Sequence, residues 1–152
     1  MEHMVIGIRG DTPFNEIVSH FTSMGGEVVL MKPERVLGRD HIESALMHAE
    51  RSMANGTNRS KTILTEILLY AAWERQIGRA VDAMRPSADK GEYVALLLDI
   101  TDPRLEDIGM VRDDSLIEAT EEKAEALGLR DPFLSIEDQA VENVAIVDLL
   151  KA

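Results

Sequence analysis

The side chains best suited to bind a metal or move protons at neutral pH are the four histidines, His3, His20, His41 and His48. His41 and His48 are seven residues apart, which puts them two turns and about 10 Å apart on a helix. A metal ion shared by them needs a ligand in between, but Ser44 and Ala45 occupy those positions. Cysteine is absent, which excludes thiolate ligands, thiol nucleophiles and disulfides. The sequence therefore predicts no metal site.

The other motifs of enzyme chemistry are also missing. The acidic pairs Asp113-Asp114 and Glu121-Glu122 are neighbours in sequence, so their side chains point in different directions and fit a solvated face better than a catalytic pair. There is no phosphate-binding P-loop and no serine-hydrolase elbow, and Gly7 with Gly10 does not form a dinucleotide fingerprint. We therefore expect neither catalysis nor a cofactor.

Positive charge is concentrated in the middle of an acidic chain. The net charge is -12, yet residues 32–90 hold ten basic and eight acidic side chains, whereas residues 91–152 hold five and sixteen. The densest basic set consists of Arg59, Lys61, Arg75, Arg79 and Arg85. Ser60 is predicted to cap one helix and Arg75-Gln76 to open the next, and helix starts suit phosphate binding. Two interpretations remain open: a site for single-stranded nucleic acid, or ordinary helix ends with solvated arginines.

A stretch without charge, from Ile67 to Trp73, spans about two helical turns, so apolar side chains face every direction. It is either a helix buried between layers of its own fold or a surface for a partner protein or a stacked base. Stripes on this helix and on the one that begins near Asp40 favour an exposed apolar surface, without indicating which of them faces outward.

The elements that would position these residues alternate irregularly between strand and helix. Strands are predicted at Met4–Arg9, Val28–Met31, Tyr93–Leu98, Leu116–Ile117 and Val144–Leu149. Helices are predicted to start at Thr12-Pro13, Asp40, Ser60, Arg75, Pro103, Glu121 and Ser135, with a break at Trp73-Glu74. This pattern predicts an α/β fold in which a central sheet is covered by helices in a single mixed domain, residues 1–152.

The length of 152 residues fits one domain, and 45% hydrophobic residues can fill a core. The longest uncharged run is far shorter than a membrane span, and Glu2 and His3 stand where a signal peptide would carry basic residues. The expected location is the cytoplasm.

A family resemblance is carried by the middle of the chain, by Ser60-Lys61, by Glu66 to Tyr70, and by Arg75-Gln76-Ile77 with Ala80. Weaker fragments lie at Ile6–Gly10, Asp114–Leu116 and Val144–Leu149. Together they resemble the small accessory subunit of the KEOPS complex, the PRPK-binding protein family. Trp73 stands where that family usually has glycine, and it offers an additional stacking surface.

The resemblance implies a subunit that is not an enzyme and needs no cofactor or metal. It implies binding to the kinase-like ATPase subunit of KEOPS, which attaches a threonylcarbamoyl group to the adenosine beside the tRNA anticodon. It also implies a grip on the 3′ CCA end of tRNA, with Arg59, Lys61 and Arg75 on phosphates and Trp73, Gln76 and Ile77 beside the bases. The alternative is a small α/β enzyme or ligand-binding module with a pocket near Trp73.

Overall fold

A computed structural model describes residues 1–87 and 89–151. Its helices and antiparallel strands confirm the α/β class. The chain forms two compact units, one made of Met1–Pro33 and Pro86–Ile117 and the other of Glu34–Arg85 and Glu118–Ala152. The expectation of one domain over residues 1–152 stays a prediction. No helix in the described part of the chain is long and apolar enough to span a bilayer.

The first unit is built on a four-stranded antiparallel sheet. Its strands are β1 (His3–Arg9), β2 (Glu27–Met31), β3 (Glu92–Leu98) and β4 (Val111–Arg112), in the order β2-β3-β1-β4. Helix α1 (Phe14–Ser23) packs Ile17 and Phe21 against alternate strand residues such as Ile6 and Ala95, which are paired across β1 and β3. Short 3-10 helices cover Leu105–Ile108 and Asp114–Ile117 in this unit, and a third covers Pro33–Arg35, where the second unit begins.

The second unit is helical and contains most residues of the predicted site. It comprises α2 (Arg39–Asn55), α3 (Ile63–Ala71), α4 (Ile77–Met84), α5 (Glu121–Ala126) and α6 (Ile136–Lys151). Helix α3 packs against α2 and α4, and α6 packs against α2 and α3. Helix α2 is followed by Gly56 as its C-cap, whose left-handed backbone favours glycine.

Three predicted strands, Met4–Arg9, Val28–Met31 and Tyr93–Leu98, are confirmed within β1, β2 and β3. The strand predicted at Val144–Leu149 is wrong, because these residues lie in α6. Helical spacing buries Ala140, Val144 and Val147 on one side of α6. The run was too short for its composition to distinguish a strand from a helix.

Several smaller predictions also need correction. Leu116 and Ile117 lie in a 3-10 helix instead of a strand, and the helix expected at Pro103 is a 3-10 helix that starts at Leu105. Helix α1 is preceded by Pro13 as its N-cap, since the Thr12 hydroxyl donates to the Ile108 carbonyl.

Two predicted caps lie next to the observed ones. Helix α2 is preceded by Gly38, with Asp40 in its first turn, and α3 is capped by Thr62 instead of Ser60. The cap predicted at Ser135 is confirmed by its hydroxyl, which accepts from the Asp138 N–H at 3.1 Å. Both errors are shifts of two residues at a helix start, the part of a helix that a sequence pattern locates least well.

Candidate functional site

The residues predicted to bind a nucleic-acid end lie beyond the two ends of α3. Arg59 and Lys61 precede the first residue of this helix, whereas Arg75, Gln76 and Ile77 follow its last residue. Nine helical residues span about 13 Å, which is the length of α3 between the two groups. A ligand that contacts both groups must therefore be extended, as a single strand is.

The side chains of Lys61, Arg75 and Gln76 are exposed and make no hydrogen bond or ion pair within the described residues. Ile77, the first residue of α4, is 40% exposed. Arg59 differs, because its guanidinium donates to the backbone carbonyl of Lys151 at the end of α6. Three unpartnered polar side chains and one exposed apolar side chain are therefore available to a ligand.

Trp73 forms the bend that the sequence predicts between α3 and α4. Its φ of 58° is left-handed, an uncommon conformation for a bulky residue. The indole stacks on the His41 ring, with the centroids 5.4 Å apart and the planes at 29°. The indole Nε1 is buried without a partner in the described structure. Because one face of the ring is covered by His41, Trp73 offers a ligand less surface than the sequence suggested.

His41 is fully buried and connects the backbone before α2 with the end of α3, next to that bend. Its Nδ1 accepts from the Leu37 N–H at 3.0 Å, and its Nε2 lies 2.9 Å from the Ala71 carbonyl. This pair of contacts requires a neutral ring with the proton on Nε2. Burial lowers the pKa of His41 to about 4.

A buried carboxylate organises the start of α3. The Glu66 side chain is inaccessible to solvent and accepts from the Arg59 N–H at 3.0 Å and the Ser60 N–H at 3.1 Å. Ser52 of α2 donates to it at 2.7 Å, and the ammonium of Lys151 in α6 pairs with it. Glu66 therefore takes up two backbone N–H groups of the segment before α3, which are not available to a phosphate.

The same network continues to the last turn of α6. Lys151 Nζ donates to the Tyr70 hydroxyl at 2.9 Å, and that hydroxyl donates to Asp148. The second oxygen of Asp148 lies 2.9 Å from His48 Nδ1. Burial opposes charge on Glu66, but hydrogen bonds from Lys151 and Ser52 hold its pKa below the ordinary value. The pKa of Lys151 is raised, since its bonds to Glu66 and Tyr70 outweigh burial.

Sequence analysis missed this network. The available signal was a single acid, Glu66, inside an otherwise apolar helix face, because such a residue is buried only when it is paired. Its partner Lys151 could not be found, since it lies 85 residues away in sequence and follows a segment that was assigned to a strand.

An exposed apolar surface is present, although on a different helix from those predicted. In α2 the stripe residues Ile42, Ala45 and Ala49 are buried, and in α3 Ile67 and Tyr70 are buried as well. The stretch from Ile67 to Trp73 is thus mostly interior. Three exposed apolar side chains lie close together in α6, at Ile146 (38%), Leu149 (75%) and Leu150 (41%), and Met47 of α2 (50%) is exposed as well.

The spacing of Ile146, Leu149 and Leu150 places them on one face of α6, opposite Val144 and Val147, which are buried. We call these three residues the α6 stripe. Adjacent exposed apolar side chains on a helix are typical of a protein interface.

The residues that could hold a metal are dispersed. Within residues 1–87 and 89–151, no group of three or more histidine, aspartate or glutamate side chains is arranged to bind an ion.

We predict that Glu66→Gln lowers the free energy of unfolding by about 3 kcal/mol, because Lys151 loses its buried counter-ion. Urea denaturation measures the change. Glu125→Gln, at an exposed position in α5, is the control and should change stability by less than about 0.5 kcal/mol. Equal effects of the two substitutions would contradict the importance of the buried pair.

We also predict that His41 makes the protein less stable in acid. The unfolded chain binds a proton at His41 near the ordinary pKa of 6.5, whereas the folded chain does so only near 4. Its contribution is complete above about pH 6.5 and is lost as the pH falls toward 4, a change of about 3 kcal/mol.

Denaturation of wild type and of His41→Gln across this pH range measures that contribution. The carboxylates titrate in both proteins, so their effect cancels when the two free energies of unfolding are subtracted. His3→Gln is the control, because His3 is exposed at the start of β1. A wild-type minus His41→Gln difference that does not vary with pH would contradict the prediction.

One model of a known protein family matches most of the chain. The family model described as kinase binding protein CGI-121 matches residues 14–132. No curated protein matches the chain significantly. Because the family match covers more than half of the sequence and extends through both compact units, the chain belongs to the kinase-binding protein CGI-121 family.

Proposed function

We propose that this chain is a non-catalytic, cytoplasmic subunit of the KEOPS complex that binds the kinase-like ATPase subunit and the 3′ CCA end of tRNA. In this role it supports threonylcarbamoylation of the adenosine beside the anticodon. The observation that carries the proposal is membership of the kinase-binding CGI-121 family over residues 14–132. The resemblance of the segment from Ser60 to Ala80 to the KEOPS accessory subunit extends it to tRNA.

The α6 stripe is the proposed contact for the kinase-like subunit. Its leucines expose apolar surface at the end of a helix whose opposite side is fixed by the Asp148 and Lys151 contacts. A rigid helix with an exposed apolar face loses little conformational freedom when a partner covers it.

The proposed tRNA contacts are the residues beyond the two ends of α3. Lys61 and Arg75 carry cations that have no partner in the described structure, and Arg59 lies beside Lys61. Gln76 and Ile77 are exposed next to Arg75 and offer a base a hydrogen-bonding and an apolar surface. The rest of the chain is acidic, so tRNA is attracted only locally and its body must be held by other subunits.

We predict that Leu149→Glu weakens binding to the cognate kinase-like subunit at least about tenfold, because an unpaired charge would be buried in the interface. The affinity is measured by calorimetric titration of the two full-length chains. Val111→Glu is the matched control, since Val111 is an exposed apolar residue on β4. Equal losses in the two variants would contradict a contact through α6, and absence of wild-type binding at micromolar concentration would contradict the proposed function.

We predict that Lys61→Glu and Arg75→Glu each weaken tRNA binding about fivefold or more while the kinase-like subunit still binds, since only phosphate contacts are lost. Arg130→Glu changes the net charge equally at an exposed position outside the site and should have little effect. The salt dependence should be shallow, with a slope of roughly -0.7 for each phosphate contact.

The decisive comparison uses one tRNA with and without its terminal CCA. Removal of CCA should reduce the affinity, since stacked bases contribute about 1–3 kcal/mol each. Equal affinity for the two forms would refute recognition of the 3′ end. The basic residues would then be ordinary solvated helix ends.

A further inference from the structure

A pocket of about 480 Å³ opens where α2 and α6 end, and the proposed contacts with the kinase and the CCA end do not use it. It is lined by His48, Arg51, Ser52, Asn55, Thr57, Asp148 and Lys151. Its volume lies in the range of small-molecule sites. Every side chain that lines it is polar or charged, so it offers a ligand several hydrogen-bonding partners.

The positive charge available in this pocket comes from Arg51. Lys151 also lines it, but the ammonium of Lys151 is engaged by Glu66 and Tyr70. The guanidinium of Arg51 and the side-chain amide of Asn55 make no hydrogen bond or ion pair within residues 1–87 and 89–151. They are four residues apart in α2 and therefore lie on the same helix face. Such a pair of donors suits a phosphate or a carboxylate.

Asp148 makes another part of the pocket favour hydrogen-bond donors instead of anions. Its carboxylate accepts from Tyr70 and pairs with His48, yet the side chain remains 44% exposed. Each carboxylate oxygen can accept more than one hydrogen bond, so ligand hydroxyl groups can bind there. The ends of α2 and α6 also present backbone carbonyls, which favour hydroxyl donors and disfavour an anion. The ligand must therefore carry an anionic group for Arg51 and neighbouring hydroxyls for Asp148.

We propose that this pocket binds a phosphorylated ribose, with the phosphate on Arg51 and Asn55 and the 2′,3′-diol on Asp148. Two sources share this chemistry: a free ribonucleotide and the 3′-terminal nucleotide of an RNA. The terminal ribose is the one position in an RNA strand where both hydroxyls are free. Arg59 donates to the Lys151 carbonyl, which connects the pocket with the basic residues before α3. The RNA source rests on the proposed function, whereas the free nucleotide does not.

The first experiment titrates the full chain calorimetrically with adenosine 5′-monophosphate, its 2′,3′-dideoxy counterpart and adenosine. We expect the monophosphate to bind, and loss of either the diol or the phosphate to weaken binding about tenfold. Arg51→Gln should weaken binding of the monophosphate about tenfold and should hardly change binding of adenosine. Arg130→Gln, at an exposed arginine outside the pocket and outside the basic set, should leave both affinities unchanged. Because the diol is tested on the ligand, no variant of the buried network is needed.

The second experiment compares a CCA-ended RNA hairpin that has a normal terminal ribose with one that ends in a 2′,3′-dideoxy nucleotide. Weaker binding of the dideoxy hairpin, together with displacement of adenosine 5′-monophosphate by the normal one, supports the RNA end as the ligand. Binding of the monophosphate without such competition supports a free ribonucleotide as the ligand.

Two results overturn the proposal. One is the absence of detectable binding at a monophosphate concentration of about 10 mM. The binding free energy would then be smaller than about 3 kcal/mol. The other is equal affinity for the monophosphate and its dideoxy counterpart. If tRNA binding still depends on CCA in either case, the pocket proposal is wrong while the proposed tRNA function stands. If CCA dependence is absent but the monophosphate binds through its diol, the pocket proposal stands alone.

Discussion

The ion pair between Glu66 and Lys151 is the interaction on which the helical unit depends. The Glu66 carboxylate is inaccessible to solvent, and the Lys151 side chain is only 5% exposed. Two buried charges destabilise a fold unless each finds several hydrogen-bonding partners. Here the donors to Glu66 come from α2, from the segment before α3 and from α6, so one carboxylate connects three parts of the unit. Its position in turn fixes the backbone that carries Arg59.

The network gives the last turns of α6 two different sides. Lys151 and Asp148 face Glu66 and Tyr70, which fixes the rotation of the helix about its axis. Leu149 and Leu150 are adjacent to them in sequence, but the 100° rotation between successive residues turns Leu149 away. One set of polar contacts therefore leaves an apolar stripe exposed on one side and forms the wall of a polar pocket on the other.

The sequence predicted the elements whose signals are local. The strands β1 and β3 have apolar runs of strand length, and the bend at Trp73 lies between two helical stripes. It failed at Val144–Leu149, because a six-residue apolar run suits a buried strand as well as a helix and only the contacts with α2 and α3 decide between them. The positions of Lys61, Arg75 and Gln76 at exposed helix ends follow from local signals too. The pocket does not, since Arg51 and Asp148 are almost 100 residues apart in sequence and meet only through packing.

The bend between α3 and α4 shows how the fold prepares exposed residues for a ligand. A left-handed backbone at a residue with a large side chain costs about 1 kcal/mol, and the Trp73 indole stacked on His41 offsets that cost. His41 is itself fixed by its bonds to Leu37 and Ala71, so the turn is held from inside. Arg75 therefore follows a fixed turn although its own side chain has no partner in the described structure. Binding then orders side chains only, and the backbone contributes no further entropy cost.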